Sequence, residues 1–350
     1  MQRTTALIAL LTAAAALNAH AQTATDYNPP RTPDGKPDLQ GVWSNASLTN
    51  LTRPPGVEAL VVDETQATEL VRNNPWIRLA QSEAGPSDFE DGLLDDGNND
   101  RGYNTFWIDP GQSLGVVKGE FRTSWITDPA DGQLPMREEA RDDIREHRNM
   151  RRARLYDGPE NLPIAERCLI GFTGAGGPGM LNTIYNNNYQ IVQTDDHLMI
   201  LVEMVHDARI IPIFDSRAEA QHNPVTIKPW LGDSVAWWEG DTLVIETVNV
   251  EPQQARTGPI YLSAEGRVTE RLSRVGDDEI FYSFTVDDPA TYTATWTAEQ
   301  SLRQRDEQVF EYACHEGNYA MPGILAGARA QEARGETPTA GPGIFGTPIE

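Results

Sequence analysis

The 350-residue chain carries 28 Lys+Arg against 52 Asp+Glu, a net charge of −24, with 39% hydrophobic residues. That length buries a substantial core, and eight Trp, ten Tyr and nine Phe are too many core formers for a disordered chain. An excess of negative charge repels phosphate backbones and anionic membrane surfaces, so nucleic acid is excluded as an expected partner.

Residues 1–21 read as a secretory signal: Arg3 supplies the positive start, Ala6 to Leu17 the apolar run, and Ala19-His20-Ala21 an A-x-A cleavage site. The run is too short to span a bilayer, and no later stretch is long enough. The expected product is a periplasmic or secreted chain starting at Gln22, with no membrane insertion after cleavage. In an oxidising compartment Cys168 and Cys314 are expected to pair as a disulfide. The alternatives, a nucleophilic thiol or metal ligands, fit two lone and distant cysteines poorly.

Residues 22–37 are polar and Pro-rich and suit an extended arm. Asp38-Leu39-Gln40-Gly41-Val42-Trp43 reads as the first strand of a single β-rich domain spanning 38–333. Its first part, 38–160, is irregular and partly helical: a helix over Thr65–Asn73, a long loop over Gly85–Arg101 and a strand over Phe121–Thr127. One surface helix is expected over Pro135–Leu155. The Arg148, Arg151, Arg152 and Arg154 cluster on that helix reads as a solvated face, with a domain contact as the lesser alternative. From 161 to 320 the pattern becomes strands separated by turns. They cover Tyr189–Thr194, Leu198–Val205, Ser234–Trp238, Thr242–Val248, Arg267–Val275, Ile280–Val286, Thr291–Leu302 and Gln308–Cys314. Repeated hairpins predict a mainly β fold, an antiparallel meander closing into a barrel. A helix over Ile324–Ala333 and a flexible tail over 334–350 complete the chain.

Glu203-Met-Val-His-Asp-Ala-Arg209 is the densest polar run. Both faces of Leu198–Val205 are apolar, which predicts a strand buried on both sides and a carboxylate that must be paired or raised in pKa. An uninterrupted strand would put Glu203 and Arg209 on one face and His206 on the other; a turn at His206–Ala208 would relax this. Glu203 or His206 would take a proton, Arg209 would stabilise an anion, and His315 or Glu316 of the Tyr312–Tyr319 cluster would return the proton. The plain alternative is a buried structural Glu–Arg pair. Tyr185, Asn186, Asn188 and Tyr189, with Trp107 and Tyr319, offer stacking faces and amides to a small-molecule substrate or ligand. The glycine-rich segment Gly171–Gly179 opens no predicted helix and is not a phosphate loop. No metal site and no cofactor is expected: the remaining histidines, 147, 197, 206, 222 and 315, form no ligand motif, and nucleotide-binding signatures are absent. Asp95–Asp100 misses the calcium-loop register, leaving an acidic loop as the reading.

The Gly41-Val-Trp43 opening resembles lipocalin-like barrels, in which the Trp plugs the closed end. More broadly, the chain resembles a large family of exported bacterial proteins, mostly without assigned function. The stretches that carry this likeness are Arg31–Trp43, Tyr103–Trp107, Tyr185–Ile191, Glu203–Pro212, Trp230–Ser234, Trp238–Val244, Phe284–Pro289 and Tyr312–Tyr319. It runs from about residue 31 to 333, with departures at Arg217–His222 and Val235–Trp237, and it implies export without implying a reaction. The expected function is acid/base chemistry of lyase, isomerase or hydrolase type on a small polar, sugar-like or aromatic substrate at a barrel mouth. The alternative is a non-catalytic carrier of an apolar or aromatic ligand. Oligomeric state is left open.

Overall fold

The computed structural model describes residues 27–75, 77–78, 109–171 and 174–338. The predicted signal segment, the 85–101 loop with the Asp95–Asp100 run, and Trp107 lie outside them. Nine strands close into a lipocalin-like barrel: β1 (Gly41–Ser44), β6 (Asn188–Gln193), β7 (His197–Val202), β8 (Ala208–Phe214), β9 (Asp233–Glu239), β10 (Thr242–Val248), β11 (Arg267–Arg274), β12 (Glu279–Asp287) and β13 (Trp296–Arg305). β13 pairs back to β1 with Trp43 opposite Gln304, closing the ring. Before β6 come β2 (Val61–Val62), helix α1 (Glu64–Arg72), β3 (Val116–Val117), β4 (Glu120–Arg122), β5 (Ile126–Asp128) and helix α2 (Glu138–Ala153). β2, β4 and β3 form a small separate sheet, and β5 adds to β13. A short helix α3 (Pro252–Ala255) follows β10, and α4 (Ala320–Ala333) follows the barrel.

Alternation places the core. Val268 and Leu272 of β11, and Ile280, Tyr282, Phe284 and Val286 of β12, point inward and are almost fully buried. In β7 only Leu198, Ile200 and Val202 are fully buried, while Met199 and Leu201 stand half-buried on the outer wall. The strand is therefore not fully buried on both sides.

The meander has one parallel junction. β8 and β9 pair in parallel through Ile213–Ala236 and Phe214–Trp237, whereas every other neighbour in the ring is antiparallel. An odd number of strands cannot close with antiparallel pairs alone, so one parallel seam is compelled. Residues 215–232 return along the outside of the wall, where Phe214 and Ala220 pack with Val235, Trp237 and Val244.

Other differences are local. The Phe121–Thr127 strand divides into β4 and β5 because the amides of Thr123 and Trp125 turn to Leu60 and Asn50. No strand forms over Gln308–Cys314: all neighbours of β13 are taken, and the Phe310 amide donates to Glu203 instead. Residues 31–37 bend into a turn, with Arg31 bridged to Pro37, and do not run extended.

The N-terminal arm closes one end of the barrel. Trp43 is fully buried and donates from Nε1 to the Leu39 carbonyl at 3.0 Å, with the Arg274 guanidinium 5.4 Å from its ring centre. Arg31 forms a two-pronged ion pair with Asp241, which ties the arm to the β9–β10 turn.

Towards the other end the core holds charge. Arg209 of β8 donates from Nη1 and Nη2 to Glu270 of β11 at 2.9 and 2.5 Å, and their side chains are 2% and 0% exposed. Nη2 also reaches Ser234 and Thr247, both at 3.2 Å, and the Tyr282 hydroxyl donates to Glu270 at 2.5 Å. Burial acts to raise the Glu270 pKa, but the Arg209 charge and these hydrogen bonds outweigh it and hold the carboxyl below its ordinary value. The glycine segment lies directly on this pair: the Gly179 amide donates to Glu270 at 3.3 Å, and a Cβ on Gly177 (φ +86°) would sit 2.8 Å from Arg209 Nη1. These glycines serve close approach and left-handed backbone.

Removing one partner of such a pair leaves a buried charge uncompensated. Glu270→Gln or Arg209→Met is expected to lower unfolding free energy by about 3–5 kcal/mol in urea denaturation. The double variant Arg209→Met/Glu270→Gln is expected to lose clearly less than the sum of the single losses.

Candidate functional site

The run after β7 turns sharply. Met204–His206 form a single 3-10 turn, and Val205 and His206 take left-handed backbone with φ of 57° and 49°. A branched residue there stores strain of about 1–3 kcal/mol, a feature that clusters at functional sites. The turn also resets the alternation. Glu203 ends on the outer wall and Arg209 inside the barrel, so the two do not share a face and Arg209 takes Glu270 as its carboxylate partner.

Glu203 is buried, although it lies on the outer wall, because residues 308–312 cover it. Asn188 donates to its Oε2 at 2.8 Å and the Phe310 amide to its Oε1 at 3.3 Å. His206 is exposed, with Nδ1 at 3.2 Å from the Tyr312 carbonyl. A carbonyl only accepts, so Nδ1 carries the proton and Nε2 of the neutral ring presents a lone pair. The His315 ring, also exposed, has its centre 6.4 Å away, inclined at 51°.

His315 is held in place by the predicted disulfide. Cys168 and Cys314 are bonded with Cα atoms 5.8 Å apart, and Asn318 donates to the Cys314 carbonyl at 2.9 Å. Closing this loop of 146 residues restricts the unfolded chain by about 5 kcal/mol in the chain-entropy account. Tyr185 stands beside Tyr312, and burial followed by that neighbour pushes its phenol pKa up.

Of the remaining sequence candidates, Tyr189 belongs to the core: it is 1% exposed, donates to the Ala175 carbonyl at 3.1 Å and accepts from Asn45. Asn186 occupies a left-handed turn position (φ 53°), a backbone role suited to Asn. Glu316 and Tyr319 are exposed beyond the disulfide, Tyr319 at the start of α4.

Two groupings escape sequence reasoning. Asp207, inside the singled-out run, is 9% exposed and accepts from the Gly171 amide at 2.7 Å. Burial raises its pKa to about 6, against a smaller lowering from that amide and from His206. Its position between His206 and Arg209 was the one available signal. The second grouping sits under the 215–232 segment. His222 places Nδ1 3.0 Å from Asp233 and Nε2 3.1 Å from Glu246, while Arg217 and Arg267 reach Glu246 at 2.8 and 2.5 Å. With both imidazole nitrogens engaged by carboxylates, this network fastens the returning segment to the wall beside the parallel seam. Its members come from the 215–232 segment and from β9, β10 and β11, and no sequence motif connects them.

Among the described residues no three His, Cys, Asp or Glu side chains are arranged to hold a metal ion, and no helix is long and apolar enough to cross a membrane. The sequence matches no family model, and a search of curated proteins finds no match.

Asp207 gives a pH signature with a defined sign. Its folded pKa of about 6 lies above the ordinary value of 3.8, so stability is lost as pH rises from 3.8 to about 6. Asp207→Asn keeps an acceptor for Gly171 and does not titrate. Urea denaturation is expected to show the variant gaining about 3 kcal/mol on the wild type between pH 3 and pH 8, about half of it above pH 5. A difference independent of pH would contradict the raised pKa.

Proposed function

We propose that the protein is an exported acid–base enzyme working where His206 and His315 face each other at the rim of the barrel. The observation that carries this reading is the pair itself: a ring oriented through Nδ1 by the Tyr312 carbonyl, its Nε2 without a partner among the described residues, opposite a second imidazole at 6.4 Å. A small polar molecule held between the rings gives a proton to His206 Nε2 and receives one from protonated His315. That proton transfer serves isomerisation or elimination on a hydroxyl- or carbonyl-bearing substrate. Asp207, electrostatically coupled to His206, offers a counter-charge when the ring becomes imidazolium. Glu203, engaged by Asn188 and the Phe310 amide, acts here as a positioning residue, holding the covering segment in place. Export is supported by the A-x-A site at Ala19–Ala21, by the likeness to exported bacterial proteins and by the disulfide.

The test is a screen of sugar and aromatic metabolites with wild type, His206→Ala and His315→Ala. Each substitution is expected to lower kcat/KM by about 10²–10⁴-fold on the substrate found, the range of general acid–base catalysis. Reduction of the disulfide is expected to lower turnover as well, because it frees the segment carrying His315. Full turnover in both variants would exclude the histidine pair. Binding by wild type without turnover would favour the non-catalytic carrier.

A further inference from the structure

A cavity of about 360 Å³ lies between α2, the glycine segment and the β10–β11 connection. Its walls are mostly apolar, with Ile144 from α2 and Leu155 just beyond it, Val250, Ile260 and Leu262, and Gly174–Pro178 among its lining. From α2, Ile144, His147, Arg148, Arg151 and Arg152 line it, positions three, four, seven and eight residues on from Ile144 that bring one helix face inward. The arginine cluster is thus a cavity wall as well as a solvated face.

The charge of that wall is at odds with the rest of the molecule. In a chain of net charge −24, Arg148, Arg151, Arg152 and Arg256 line the cavity and, among the described residues, no Asp or Glu does. Arg256 is paired with Asp143. Among the described residues Arg148, Arg151 and Arg152 have no carboxylate partner: Arg148 donates to the Tyr261 hydroxyl at 3.1 Å and Arg151 to the Leu162 carbonyl at 3.4 Å. Burial, then Arg256 and Arg151, push the His147 pKa down, as cations converging on one space do. Guanidinium groups beside an apolar pocket of this size match a ligand with an apolar body and an anionic end.

We infer that this cavity binds a compact amphipathic carboxylate, its ring or branched chain among Ile144, Val250 and Ile260 and its carboxylate at Arg151 and Arg152. The site is separate from the histidine pair and stands whether or not that pair is catalytic, since its test reads binding alone.

The probes are 2-naphthoate and its neutral counterpart 2-naphthamide, titrated by calorimetry into the full chain. The wild type is expected to bind the acid at least about tenfold more tightly than the amide, a preference conferred by charge-assisted hydrogen bonds. Arg151→Gln/Arg152→Gln is expected to remove that preference while leaving the affinity for the amide unchanged. Ile144→Trp, on a surface helix and checked for folding by circular dichroism, is expected to weaken both ligands by filling the apolar part. Arg145→Gln, outside the cavity lining, is expected to change neither. Equal affinity for acid and amide, no binding of either, or a preference surviving in the double variant would each overturn the proposal.

Discussion

The buried ion pair between Arg209 and Glu270 is the constraint from which the mouth of the barrel is organised. Two charges withdrawn from water are tolerated only when attraction and hydrogen bonds compensate lost hydration. Here the compensation comes from Ser234, Thr247, Tyr282 and the Gly179 amide, so strands β8 to β12 and the glycine segment all meet at one point. Because the segment must descend onto the guanidinium, glycine is required where a side chain would collide. Its descent in turn forms part of the wall of the arginine-rimmed cavity. At its start, Gly171 donates its amide to Asp207, two residues before Arg209. A single electrostatic demand in the core thus shapes both surfaces to which function is assigned.

The legible parts of the fold were those written in local pattern. Alternation in Arg267–Val275 and Ile280–Val286, broken by Gly-Asp-Asp, matches β11 and β12 to within a residue or so, and the thin apolar stripe of Pro135–Leu155 matches a helix without buried residues. The distant cysteines do pair. What was not legible depends on closure. Nothing in 215–232 announces a parallel seam, because the need for one arises from the parity of the completed ring. Likewise Glu203 drew attention because it shares the parity of Arg209 along an uninterrupted strand, but the left-handed turn at Val205–His206 sends the two to opposite sides of the wall. Glu270 shares the inward parity of Val268 and Leu272, so a partner for Arg209 was visible in that strand to anyone asking which inward acid could meet it. The histidine pair was half legible: both residues stood out, and only the disulfide-held segment places them together.

The acidic composition and the local sites are different layers of the same surface. Much of the negative charge sits in turns such as Asp195-Asp196 and Asp277-Asp278, where it ends strands. Cations gather in two places, the strap around Glu246 and the wall of α2, with opposite consequences. In the strap Arg217, Arg267 and His222 are consumed by carboxylates, and burial of Glu246 is outweighed by those partners, so its pKa stays low. On the cavity face of α2, by contrast, Arg148, Arg151 and Arg152 have no carboxylate partner among the described residues, which is what the inferred anionic ligand would answer.

The placement of β1 has a consequence for how the molecule is made. It is the first strand of the ring to leave the ribosome, yet its neighbours are β6 and β13, the latter ending at Arg305. Until nearly the whole chain has emerged, Gly41–Ser44 has no lasting partner on one side, and β13 has no edge to close against. Biogenesis of this protein is therefore a late, all-at-once event, governed by contacts between distant parts of the chain, which form slowly. Throughout that interval two open sheet edges invite pairing between nascent copies. The charged turns flanking those edges then serve an incomplete chain as much as a finished one, keeping neighbours apart until the ring shuts.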